Sequence, residues 1–92
     1  MRHEEHRAFD EFVTDHPVGT AIRGRVTNVQ PFGAFCQLAE GVEGLLEVIH
    51  FDGRPRTMKF PDDYPRVGDL IDVTIAFINR KAHQIRLTQR PF

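Results

Sequence analysis

The 92-residue sequence has a single cysteine, no long apolar run and no excess of charge of either sign. One cysteine excludes an internal disulfide. Cys36 lies between Phe35 and Gln37 on the inward parity of an alternating stretch, and no His with Asn or Asp accompanies it as a nucleophile's partner motif. It therefore reads as a small buried apolar side chain. No apolar stretch reaches bilayer-spanning length, and the opening "MRHEEHRAFD" lacks the apolar core of a secretory signal, so the sequence points to a cytoplasmic protein without a membrane partner. Twelve Lys and Arg against thirteen Asp and Glu give a net charge of -1, which excludes a tight, purely electrostatic hold on nucleic acid. A phosphate-cradling glycine loop, a cysteine pair, an internal repeat and a low-complexity segment are also missing.

These absences leave little room for catalysis. A chain this short buries roughly two thirds of the surface its unfolded form exposes, which gives a thin core and no cleft between subdomains. The pair Asp62-Asp63 has the composition of a general acid and base, but it sits in a proline-rich stretch and reads as a solvated turn. His3 and His6, beside Glu4 and Glu5, have a spacing compatible with a metal; without a third partner they read as solvated. His16, His50 and His83 fall near element ends and read as surface or loop residues. No enzyme, metal or cofactor is expected.

What the sequence does contain is a change of period. Residues 3–14 place Ala8, Phe9, Phe12 and Val13 at helical spacing, with Pro17 and Gly19 just beyond, which predicts a short amphipathic helix packed on the main body. Residues 1–16 hold five acids and two arginines, whereas residues 17–92 hold ten basic against eight acidic side chains. From Gly19 the period becomes two: Ile22, Gly24 and Val26 alternate with Arg23, Arg25 and Thr27. Further strands are predicted at about 33–39, 44–49, 69–79 and 84–89. Residues 50–68 between the third and fourth contain three of the six prolines and four cations, Arg54, Arg56, Lys59 and Arg66, and read as a long loop, a kind of segment that is often functional. The basic part at 53–59, with Phe60 and Tyr64 close by, reads as a phosphate-touching rim or else as a solubilising loop. Five short antiparallel strands with one long excursion fit a small Greek-key β-barrel. The expected organisation is a helical extension at 1–18 and a barrel at 19–92.

Strand parity then assigns faces. Ala34, Cys36 and Leu38 point inward and Phe35 and Gln37 outward. Phe32 has the inward parity if the strand is regular, whereas one extra residue in a bulge at Gly33 would turn it to the side of Phe35. Leu46 and Val48 go in and Glu47 out. Ile71, Val73, Ile75 and Phe77 go in, Asp72 and Thr74 out. Ile85 and Leu87 go in, Gln84, Arg86 and Thr88 out. Exposed rings bordered by arginines make a stacking platform with electrostatic capture, the arrangement single-stranded nucleic acid needs. The plainer alternative packs Phe32 and Phe35 beneath the long loop or the helix.

The stretch "GTAIRGRVTNVQPFGAFCQLAEGVEGLLEV", followed by "VGDLIDVTIAFIN" and "IRLT", resembles the S1 RNA-binding domain family over residues 19–88. The most specific part is Phe32-Gly33-Ala34-Phe35 followed by Gly41-Val42-Glu43-Gly44-Leu45. The resemblance implies the oligonucleotide-binding (OB) fold, with Phe32 and Phe35 at the family's two stacking positions. Elsewhere the family pattern is altered. Glu47 stands where a histidine is usual, Ile49 where a serine is, Asn79 at a usually acidic position and Gln84 where an arginine normally precedes the "I-x-L-[ST]" ending. A carboxylate at Glu47 and the missing cation at Gln84 weaken phosphate attraction, with Arg23, Arg25, Arg80, Lys81 and Arg86 as compensating candidates. Two functions follow. The first is weak, sequence-tolerant binding of single-stranded RNA through Phe32, Phe35, Arg23, Arg25, Glu47, Asn79, Gln84, Arg86 and the loop residues Arg54 and Arg56, in translation or RNA metabolism, with the ribosome or RNA-processing proteins as partners. The second is a protein-interaction adaptor that keeps the barrel and has lost much of the RNA face. An oligomeric state is not readable from the sequence.

Overall fold

A computed structural model describes residues 2–53 and 55–91. A helix, α1 (Arg2–Asp15), precedes five strands: β1 (Ala21–Gln30), β2 (Gly33–Ala39), β3 (Val42–Glu47), β4 (Leu70–Asn79) and β5 (Gln84–Thr88). The strands close into a barrel in the order β1-β2-β3-β5-β4, the expected Greek key. All neighbours run antiparallel except β3 and β5, which pair in parallel through Leu45 with Arg86 and Leu46 with Leu87. Closure removes free sheet edges.

The core is what the alternation requires: Val26, Ala34, Cys36, Leu46, Val73, Ile75, Ile85 and Leu87 are all buried. The two ends of the barrel are stoppered differently. At one end α1 inserts Phe9, Phe12 and Val13. An isolated 14-residue helix is marginal in water, so these three side chains, each worth roughly 1.5–3 kcal/mol when buried, decide that this one forms. The β2–β3 turn lies beneath it, where Gly41 adopts a φ of 75° and the place of its missing Cβ is 3.5 Å from the Ala8 methyl. At the other end the long loop supplies Phe51, 1% exposed, and Tyr64, their rings edge to face at 5.1 Å.

Four expectations need correction. The third strand starts and stops two residues early, because Val48–His50 form a 3-10 turn that carries Ile49 out into solvent. No bulge sits at Gly33. The extra residue is Thr27 on the partner strand, between the pairs Val26–Cys36 and Asn28–Phe35, and Phe32 belongs to the two-residue turn ahead of β2. Phe77 is not inward. β4 inserts Ala76 between the pairs Ile75–Leu87 and Phe77–Arg86, which reverses the parity, so Ile78 takes the inward place and Phe77 is 53% exposed. Thr88 is buried instead of outward; its hydroxyl accepts the Arg90 N–H at 3.1 Å where the chain leaves the barrel.

Candidate nucleic-acid interface

The outward side of β2, β3 and β5 carries the residues that alternation excludes from the core. Phe32 is 51% exposed and meets the half-buried Phe35 edge to face, centroids 6.0 Å apart at 88°. In an edge-to-face pair one ring keeps both faces, and the other one face, clear of its partner.

The pair is held from below. Gly33 lies so close to β3 that a Cβ there would come within 2.4 Å of the Leu46 carbonyl oxygen, so only glycine lets the two strands approach here. The Val48 N–H donates to the Phe32 carbonyl at 2.8 Å, and the Tyr64 hydroxyl donates to the Pro31 carbonyl. Phe60 in turn stands edge to face on Tyr64 at 5.2 Å. The long loop thus braces the turn that presents Phe32, a role the sequence does not reveal because its partners are more than 30 residues away.

Charge on this face is partly internal. Glu47 accepts from the Arg86 guanidinium, Nη1 to Oε1 at 3.3 Å, both side chains about 40% exposed. Glu47 is thereby neutralised beside the rings instead of standing as an isolated carboxylate, and Arg86 is committed in part. Arg23 is held by Asp72 at 3.0 Å on the β1–β4 part of the wall, away from the phenylalanine turn in register. Arg25 reaches the Gly68 carbonyl at 3.3 Å and is opposite Gln37, two residues along β2 from Phe35. The Asn79 side-chain Oδ1 accepts the Ala82 N–H at 2.9 Å and so shapes the β4–β5 turn, while Gln84 opposite it is exposed. Arg56 is exposed on a 3-10 turn of the long loop; Arg54 lies outside the described residues.

Below the Leu45–Arg86 pair a pocket of about 460 Å³ opens between β3, β5 and α1. Phe35, Leu45 and Arg86 contribute to one side, and His6, Phe9 and His83 to another. His6 is not solvated as expected; its ring stacks at 3.6 Å on that of His83, which lies in the β4–β5 turn, and Phe9 meets His83 edge to face at 5.1 Å. Cys36, on the inner side of the same wall, has its thiol pushed up to about 11 by burial, with the Glu43 carboxylate adding to the effect. It is inert at neutral pH. Among the described residues no group of three His, Cys, Asp or Glu side chains is placed to hold a metal ion.

Comparison with known proteins establishes the family and the fold. The S1 RNA binding domain model matches residues 15–90. The chain belongs to the S1 RNA-binding domain family. The small ribosomal subunit protein bS1 of Helicobacter pylori is 39% identical over 84 residues, covering 91% of this chain and 15% of that protein. This S1 chain therefore spans about a seventh of the length of that curated relative. An uncharacterized protein of Methanocaldococcus jannaschii superposes with a TM-score of 0.63 at 28% identity, covering 82% of this chain and 93% of its own. Mycoplasma genitalium RNase R, solved in complex with ribose methylated single-stranded RNA, shares the fold with a TM-score of 0.64 at 14% identity, over 92% of this chain and 14% of the enzyme. Among the described residues no helix is long and apolar enough to cross a membrane.

The sequence reading missed Phe77 and the half-buried Leu45 between Phe35 and Arg86. For Phe77 a signal exists: Ile75-Ala76-Phe77-Ile78 is a continuous apolar run, which breaks strict alternation and leaves parity undefined.

Proposed function

We propose that this S1 chain binds single-stranded RNA with little sequence preference, stacking bases on Phe32 and Phe35. What carries this reading is the ring pair itself: one ring half exposed, the two perpendicular, with the backbone of Phe32 tied to β3 and its turn tied to the long loop. A base of any identity has a face to stack, and a held ring loses little freedom on binding it. Arg86, Arg25 and Arg56 supply phosphate neutralisation, with Arg80 and Lys81 in the β4–β5 turn. The barrel at 19–92 is the binding unit and residues 1–18 close its end. The likeness to a ribosomal protein supports a role with ribosomal or other cellular RNA in the cytoplasm.

Titration of isotope-labelled protein with oligouridine at low and moderate salt tests the reading through backbone amide shifts. Shifts should cluster on residues 23–37 and 84–88 and weaken as salt rises. Phe35→Ala should lower affinity roughly 5- to 150-fold, the value of one stacked base. A folded protein that shows no shift at low salt would defeat the reading. That outcome favours the adaptor function instead, for which the Glu47–Arg86 pair is the supporting observation, because it neutralises a cation of the ring face.

A further inference from the structure

Phe77 is the exposed aromatic that no strand pattern anticipates. The bulge at Ala76 places it directly opposite Arg86, and residues directly opposed in a sheet share a face. Arg86 is in register with Leu45, and Leu45 with Phe35. One row of side chains therefore runs across four strands on the outside of the barrel: Phe35, Leu45, Arg86, Phe77. At a strand spacing of about 4.8 Å, Phe77 stands three strands from Phe35, on the order of 14 Å along the curved wall. A ring that β4 could have buried by continuing its alternation is instead turned out beside a cation.

We infer that Phe77 is a third base platform, so that single-stranded RNA crosses the strands from Phe32 through Phe35 to Phe77, with Arg86 and the apolar Leu45 beneath the chain between the rings. This inference rests on the reading of the Phe32–Phe35 pair as the first platform. The occupant is nucleic acid and not a protein surface for three reasons: the row is continuous with that pair, its middle holds a guanidinium, and stacking rings separated by backbone-length intervals suit a polymer that repeats a flat group and a phosphate.

The test is fluorescence anisotropy with labelled oligouridine of about 12 nucleotides, within the site sizes found for such barrels, on the parent and on Phe35→Ala, Phe77→Ala, Phe77→Leu and Phe77→Tyr. Phe77 is exposed, so its variants should melt with the parent. Phe77→Ala should weaken binding by at least about fivefold. Phe77→Leu should lose as much, because it keeps apolar bulk without a ring face, and Phe77→Tyr should retain parent affinity. The slope of affinity against salt should not change in any of the three. If Phe35→Ala weakens binding and Phe77→Ala does not, the third platform is wrong while the first stands, and the ring is left as a protein-docking residue. Full binding by Phe77→Leu overturns the stacking role as well. If neither alanine variant weakens binding, the underlying reading has failed.

Discussion

The ends of the barrel and its outer wall use the same side chain for opposite purposes. Phe9, Phe12 and Phe51 stopper the ends and are buried, whereas Phe32 and Phe77 stand on the wall with about half their surface in water. At the ends the rings hold the fold together, packed in the core and against His83, His16 and Tyr64. On the wall the rings adjoin an ion pair and a braced turn, and their exposed surface contributes nothing through burial. The contrast teaches that a phenylalanine's role is set by what the strands place behind it.

The largest effect should come from breaking the stopper. Phe51→Ala should cost about 3–5 kcal/mol, read as a lower urea midpoint, whereas Phe35→Ala should leave the midpoint within a fraction of that and change RNA affinity instead. Equal destabilisation by the two would erase the distinction between end and wall. Gly33→Ala probes the joint between the regions. It should cost about 1–3 kcal/mol by forcing β2 from β3, and amide shifts should move at Phe32 and Leu46.

Cys36 reports on the inner side of the wall. Burial pushes its thiol up in the folded chain to about 11, from the ordinary 9.0 of an exposed cysteine. The unfolded state therefore loses the proton first. The contribution of this protonated thiol to stability is complete below about pH 9 and is lost between about 9 and 11, and Cys36→Ala should flatten that part of a stability-against-pH curve. The smallest effect is expected at the ion pair. Glu47→Gln frees Arg86 for phosphate, which should raise RNA affinity modestly and steepen the log-log salt slope by about 0.7, the value of one added contact to a single strand. An unchanged slope would mean that Arg86 does not reach the RNA.

These outcomes bear on how much could be read without coordinates. The alternation of Val26, Cys36, Leu46, Val73, Ile85 and Leu87 sufficed for five strands and their core face, because side-chain direction in a regular strand depends only on parity. The bulges at Thr27 and Ala76 could not be placed. Neither residue carries a glycine marker, and each bulge is set by the register against the next strand of its hairpin, of which the apolar run at Ile75–Ile78 gives only a hint. The bracing of Pro31 by Tyr64 and the joining of Glu47 to Arg86 are contacts across 33 and 39 residues.

The chain by itself thus determined the strand count, the inward set and the outward Phe35, since each follows from local period and from burial of apolar surface. Only the tertiary structure decided that Phe32 shares Phe35's side through a turn, that Phe77 joins them, and that Glu47 is neutralised. Each of those depends on register between strands. Register is settled when the closed barrel satisfies its hydrogen bonds and fills its core at once, a condition that no single segment contains.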